Sequence, residues 1–311
     1  YVMNSIFVYW TKPYLYKKNS IEYNSDKHNW VDGVDLLSYE VEYTKASALS
    51  ASKYVGKSIL YTDSLGYEVF KKYNLLECYD EINVDLLNEF TDNHTFDAGT
   101  YWTSGKTYVI CNQKEPFIFL DLDFILLEKV DYGLLKNYDL IHNQWELSRN
   151  DLYVSNNKFK QLDLPYHYPN NLYPNTSFLY VNNITLLKEY WELHKKIIYN
   201  TEVETGVDTW LLADQGILGY IARFMKLNIG CLEECAYISH ADDWKYPDGI
   251  DLNYGGMPYK VYLGKYKSIS IKYYHVWLHK VKLIEKEEER TLFSNKMNTL
   301  IKNLEKGTTL L

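Results

Sequence analysis

The stretch Pro116-Phe117-Ile118-Phe119-Leu120-Asp121-Leu122-Asp123 joins an apolar run to a pair of carboxylates. Proline has no N–H to give to a ladder and does not sit inside a central strand, so Pro116 marks a start. The four apolar residues after it read as a buried strand. Asp121 and Asp123 then stand at the carboxyl end of that strand, where open α/β sheets place their ligands. Phe119, Leu120, Leu122, Phe124, Ile125 and Leu126 surround the two acids. An ionised carboxylate in apolar surroundings must be paired or metal-bound. Oxygen ligands of this kind suit Mg²⁺ or Mn²⁺, which commonly bridge to substrate phosphates. The plainer alternative is a loop whose acids cap a helix at Leu127 or Glu128.

Working outward, short apolar runs alternate with helical patterns, the arrangement of an α/β sheet protein. Strands are expected at Ile6–Trp10, Ser58–Thr62, Pro116–Leu120, Leu140–Asn143, Asn175–Val181 and Ile269–Val276. Helices are expected at Leu36–Tyr54, Ser64–Tyr73, Phe96–Cys111, Ile184–Tyr199, Thr209–Phe224 and Val281–Leu304. Asp63-Ser64 reads as the N-cap of the second helix, and Gly99 and Gly105 weaken the third. No repeat, linker or shift in composition divides the chain, so one elaborated domain is the simplest organisation.

Composition limits the function further. The 311 residues are 46% hydrophobic and 24% charged, which excludes disorder and collagen-like structure. With 33 basic against 41 acidic residues the net charge is −8, which argues against a nucleic-acid partner. An anionic ligand would need a local cation or a metal ion. The four cysteines, Cys78, Cys111, Cys231 and Cys235, form neither a disulfide framework nor a zinc spacing. No apolar run of about 18 residues exists, so no membrane-spanning helix is expected. Tyr1-Val2-Met3 lacks a basic-then-apolar leader, and a reducing, cytoplasmic setting is the expectation.

Further segments occur in a telling order. Thr11-Lys12-Pro13 follows the first strand, and Tyr61-Thr62-Asp63, with Gly66 beyond, ends the second. Trp102-Thr103-Ser104-Gly105-Lys106 precedes the acids, and Asn175-Thr176-Ser177 precedes the apolar Phe178–Val181. Asp214-Gln215 lies on a helix, and His275 ends the late strand. With Asp121-Leu122-Asp123, this ordered set resembles the GT-A glycosyltransferases, the glycogenin-like enzymes and bacterial glycosyltransferase-like proteins in particular. Ser177 stands where glycogenin-like enzymes have glycine.

The resemblance implies a GT-A fold over residues 1–280, a Rossmann-like, mainly parallel mixed sheet flanked by helices. It implies a nucleotide-binding half over about 1–125 and an acceptor half over about 126–280. Residues 281–311 add a C-terminal amphipathic helix. It implies Mn²⁺ or Mg²⁺ held by Asp121, Asp123 and His275, with Asp214 and Gln215 at the donor sugar. Thr11, Lys12, Asp63, Lys106, Asp121, Asn175, Ser177 and Lys280 are then the donor-binding candidates, Lys106 for the diphosphate. The implied partners are a nucleotide-sugar donor, most simply a UDP-sugar, and a glycan, lipid-linked or protein acceptor.

Other classes stay open on the sequence alone. A protein of this fold could bind nucleotide sugar or glycan without turnover. Asp208 or Asp214 could pair with Asp121 or Asp123 as the two acids of a glycoside hydrolase. His240-Ala241-Asp242-Asp243 could ligate a metal by itself, although a polar loop is the plainer reading. Trp10, Trp102, Trp145, Trp210, Trp244 and Trp277 offer stacking surfaces, each more simply explained as core packing.

Overall fold

The computed structural model describes residues 3–18, 34–147, 172–199, 212–232, 235–238, 259–262, 269, 271–276, 283 and 286–306. The chain opens with β1 (Met3–Tyr9), α1 (Lys12–Lys18), α2 (Ser38–Tyr54), β2 (Gly56–Thr62) and α3 (Ser64–Lys72). It continues through β3 (Glu81–Asn83), α4 (Asp85–Asn93), α5 (Ser104–Cys111), β4 (Phe117–Leu120) and β5 (Phe124–Leu126). Next come α6 (Tyr132–Leu135), β6 (Leu140–His142), β7 (Trp145–Leu147), β8 (Leu172–Pro174), β9 (Phe178–Val181) and α7 (Leu186–Ile198). A single π-helical turn (Leu212–Gly216) runs into α8 (Ile217–Phe224), followed by β10 (Ile229–Cys231), β11 (Cys235–Ile238), β12 (Tyr259–Tyr262), β13 (Tyr273–His275) and α9 (Glu287–Glu305).

Seven strands form the central sheet in the order β10-β6-β9-β4-β1-β2-β3. Every neighbouring pair is parallel except those made by β9, which runs against both β4 and β6. The sequence of β4 explains its place at the centre. Phe117, Ile118, Phe119 and Leu120 are all buried, as a strand covered on both faces requires. Phe117 and Phe119 join Ile6, Leu179 and Val181 beneath α4, α5, α7 and α8. Ile118 and Leu120 join Phe7, Phe178 and Tyr180 on the opposite face, beneath α2 and α3. The result is a mixed α/β architecture, a mainly parallel sheet flanked by helices with a helix at the C-terminal end. That last helix, α9, packs Phe293, Met297 and Ile301 against Tyr39, Tyr43 and Ala46 of α2.

The topology collects several chain segments at one edge. The carboxyl ends of β1, β2, β4 and β6 lie there because the first three are mutually parallel and β6 shares their direction through β9. The start of β9 meets the end of β4, with Leu120 opposite Phe178. A separate antiparallel pair, β5 with β13, sets His275 opposite Phe124 and so brings the late strand beside the acids.

Four expectations need correction. The helix expected from Phe96 begins only at Ser104; residues before it form turns around Gly99, where Asp97 caps the Gly99 and Thr100 amides. Of the helix expected over Thr209–Phe224, residues 209–211 lie outside the described residues, Leu212–Gly216 form a wider π turn, and the α-helix runs over Ile217–Phe224. The strand expected over Ile269–Val276 is three residues long and pairs with β5 instead of joining the central sheet. Thr11-Lys12-Pro13, by the GT-A resemblance a nucleotide-binding loop, opens a helix instead, since α1 starts at Lys12 and proline is well suited to a first helical turn.

Candidate functional site

Asp121 leaves β4 with its N–H donating to the Ser177 carbonyl (2.8 Å), which pins the Asn175-Thr176-Ser177 segment beside it. Two residues on, the Asp123 carbonyl accepts from Val276 N–H (3.0 Å). Serines of α2 hold the chain that follows: the Ser47 hydroxyl donates to the Phe124 carbonyl and Ser50 Oγ accepts from Leu126 N–H. These bonds place the ligand atoms of Asp121, Asp123 and His275 within 4.8 Å of one another, the one such group of three among the described residues. His275 Nε2 lies 3.7 Å from Asp123 Oδ1. Asp123 is only 4% exposed, so its charge depends on partners.

A second cluster adjoins the first through Lys106. Gly105 lies against the ring of Trp10, so close that an added Cβ would stand 2.6 Å from it; only glycine allows α5 to start there. The next residue, Lys106, extends its ammonium over Phe119 to 3.6 Å from Asp121 Oδ1 and 3.4 Å from Asp214 Oδ2. It donates to Thr176 Oγ1 (2.7 Å), whose hydroxyl in turn faces the Asp214 carboxylate at 3.4 Å. Burial disfavours the charge on Lys106, but the carboxylates of Asp121 and Asp214 outweigh it and hold the ammonium pKa above its ordinary value.

Asp214 lies in the π turn, 1% exposed, where Tyr190 OH stands 3.0 Å from both its Oδ1 and its carbonyl oxygen. Its neighbour Gln215 is buried, and Gln215 Oε1 has no hydrogen-bond partner. Asn143, at the end of β6, donates to Ser177 Oγ (2.9 Å) while its own Oδ1 is likewise unpartnered. Ser177 N–H donates to Asn175 Oδ1 (3.0 Å), closing the turn into β9.

The remaining sequence candidates fall into three groups. Asp63 caps α3 through Gly66 N–H and accepts from both the amide and the hydroxyl of Thr11, each at 2.8 Å. Asp63 and Thr11 thus tie the ends of β1 and β2 together at the same edge as the acids. Lys12 points elsewhere: its ammonium donates to the carbonyls of Thr91 (2.9 Å) and His94 (3.3 Å) at the end of α4. Lys280, Asp208, the His240–Asp243 cluster, Trp210, Trp244 and Trp277 lie outside the described residues. Trp10 and Trp145 are buried, whereas Trp102 is exposed.

Thr176, Tyr190 and His194 escape the sequence reading as site residues. Tyr190 and His194 did carry a signal, two polar side chains one helical turn apart on an apolar helix face. Thr176 was visible only as the middle of its segment.

Fold and site define a mixed α/β protein with a two-carboxylate, one-histidine cluster at the carboxyl edge of its sheet, bridged by a partly buried lysine to a third acid. The chain belongs to a family of unknown function, DUF6734, whose model matches residues 3–209. No curated protein matches it. In structure it is similar to the apo-form glycosyltransferase GlyE of Streptococcus pneumoniae TIGR4, at 15% identity and a TM-score of 0.35. That match covers 75% of this chain and 46% of GlyE, so the chain spans about half the length of that protein. It is also similar to the galactosyltransferase LgtC in complex with donor and acceptor sugar analogs, at 11% identity, a TM-score of 0.37, and coverage of 75% and 74%. Mouse xyloside xylosyltransferase 1 matches at 12% identity and a TM-score of 0.35, over 74% of this chain and 85% of that one. Likeness at such scores leaves the activity to be argued from this chain's own residues. Among the described residues no helix is long and apolar enough to cross a membrane.

Proposed function

We propose that the chain is a metal-dependent, GT-A-type glycosyltransferase that moves a sugar from a nucleoside diphosphate donor, a UDP-sugar, to an acceptor hydroxyl. The acceptor is a glycan, a lipid-linked sugar or a protein, and the setting is the cytoplasm. One observation carries the reading: Asp121, Asp123 and His275 converge within 4.8 Å at the edge where Lys106 also meets Asp121 and Asp214.

The donor set tests well against the implied ion. Carboxylates suit Mg²⁺ and Mn²⁺, and an imidazole nitrogen in the set favours Mn²⁺ of the two. Bound by Asp121, Asp123 and His275, the ion would supply positive charge for the donor diphosphate and its leaving oxygen. Lys106 adds a fixed cation beside the acids, which an acidic protein needs locally to hold an anion. Thr11, Asp63, Asn175 and Ser177 shape the donor side, with Lys280 a further candidate cation. Asp214 and Gln215 face the sugar; the unpartnered Gln215 Oε1 is an acceptor suited to a sugar hydroxyl. Residues of about 1–125 bind the nucleotide and those of about 126–280 the acceptor. A hydrolase with Asp121 and Asp214 as its acid pair is disfavoured, because the Lys106 ammonium contacts both carboxylates.

The test is donor turnover. A panel of UDP-sugars is assayed for release of UDP with Mn²⁺ and with chelator, on the wild type and on Asp123→Ala. The expected result is release that chelator abolishes and that the variant lowers by about a hundredfold or more, the scale on which lost transition-state charge stabilisation acts. Turnover indifferent to both changes would overturn the proposal. Nucleotide binding with no turnover of any donor would favour a binding protein of the same fold.

A further inference from the structure

Helix α7 buries two polar side chains one turn apart, Tyr190 and His194, both 0% exposed. A helix gains nothing by placing such groups on its apolar face unless each is satisfied. Both are satisfied by groups flanking the candidate site. Tyr190 OH lies 3.0 Å from Asp214 Oδ1 and 3.0 Å from the Asp214 carbonyl. His194 Nδ1 lies 2.7 Å from the carbonyl of Ala213, the residue before Asp214. Its Nε2 lies 3.0 Å from the hydroxyl of Ser104, which opens α5 two residues before Lys106.

The chemistry of the partners fixes the direction of these bonds. A carbonyl oxygen only accepts, so Nδ1 carries the imidazole proton and donates to Ala213. Nε2 is then the lone-pair nitrogen, and Ser104 donates to it. One side chain therefore spans the two elements that carry Lys106 and Asp214, while Tyr190, one turn earlier, grips the Asp214 carboxylate itself. The π turn around Asp214 widens the backbone there, and α7 supplies the bonds that hold it.

We propose that Tyr190 and His194 are positioning residues, which set the Asp214 carboxylate against Lys106 for sugar transfer and leave metal and nucleotide binding alone. The proposal rests on the glycosyltransferase reading of the site. Its second half follows from placement: the hydrogen bonds of Tyr190 and His194 reach Asp214, Ala213 and Ser104, not Asp121, Asp123 or His275, and the Lys106 ammonium keeps its own contacts with Asp121 (3.6 Å) and Thr176 (2.7 Å).

The experiment uses Tyr190→Phe, which removes one oxygen and keeps the ring, and Ser104→Ala, which removes the Nε2 partner from outside α7. Three quantities are compared with the wild type: the dissociation constant for UDP with Mn²⁺, kcat for UDP-sugar turnover, and amide hydrogen exchange over residues 212–217. Dissociation constants within about twofold, kcat lowered about tenfold and exchange about tenfold faster in that segment alone are expected, since tenfold corresponds to about 1.4 kcal/mol, the scale of one hydrogen bond. Unchanged kcat and exchange in a working enzyme would overturn the proposal while leaving the site's function intact. So would a parallel loss of affinity and kcat, the mark of general damage. A wild type without Mn²⁺-dependent UDP binding or turnover would instead overturn the functional reading, and the transfer role with it.

Discussion

Replacing Lys106 by methionine keeps the length of the side chain and deletes the ammonium that serves two acids. Asp121 has a side chain about one-third exposed (35%), so water can replace the lost partner there. Asp214 cannot recover in that way: its side chain is 1% exposed and the ammonium lies 3.4 Å away. Removing one member of a buried ion pair costs about 3–5 kcal/mol, because the other charge stays buried without its partner. The Tyr190 hydroxyl at 3.0 Å and the Thr176 hydroxyl at 3.4 Å remain on Asp214, which sets the expectation at the lower end, about 3 kcal/mol. Equilibrium urea unfolding near pH 7.5 measures it. The double variant Lys106→Met/Asp214→Asn, in which no buried charge is stranded, should recover about 1.5–3 kcal/mol of that loss as coupling energy. A loss below about 1 kcal/mol, or strict additivity of the two changes, would refute the electrostatic account of this lysine.

Two other expectations test the same scaffold. Burial pushes the imidazole of His142 down to about 3 and that of His194 down to about 4, so the folded chain keeps both neutral where the unfolded chain protonates them. Their contribution is complete above the ordinary histidine pKa of about 6.5 and is lost progressively as pH falls toward those values; urea midpoints between pH 7.5 and 5 should show it, with a limiting slope of about 2.7 kcal/mol per pH unit for two protons. His194→Asn should remove about half of that slope, and an unchanged slope would show that His194 is not a buried neutral group. Gly105→Ala would set a Cβ 2.6–2.8 Å from the Trp10 ring, so α5 must shift, at a cost of about 1–3 kcal/mol. Thermal unfolding of that variant checks the packing; a wild-type midpoint would refute the close approach.

How much of this was legible in the sequence depends on the range of the interaction involved. The strands β1, β2, β4, β6 and β9 were readable because each is a short apolar run, and burial on both faces demands just that. Asp121 and Asp123 were readable because their apolar flanks leave an ionised acid few alternatives to a partner. The bond from Asp63 to Gly66 N–H was readable as a local capping signal. The pairing of β5 with β13 was not, since three residues at each strand carry no register information across some 150 positions of chain. Helix α4 is hard to read although Leu86, Leu87 and Phe90 have helical spacing, and α1 is hidden because Lys12-Pro13 follows a strand directly. Tyr190 and His194 show the remaining limit: their spacing was visible, but the groups that satisfy them, Asp214, Ala213 and Ser104, come from two other parts of the chain.

Thermal unfolding of the purified chain with UDP and Mn²⁺ added singly and together, beside the Asp123→Ala variant, tests the proposed metal-and-diphosphate site most directly. A ligand present at about 100 times its dissociation constant adds roughly 2.7 kcal/mol of stability. The metal-and-diphosphate site predicts a shift of that order only when UDP and Mn²⁺ are both present, and predicts that Asp123→Ala abolishes it. A wild type that gains no stability from any nucleoside diphosphate with Mn²⁺, or a variant that responds as the wild type does, would contradict the claim.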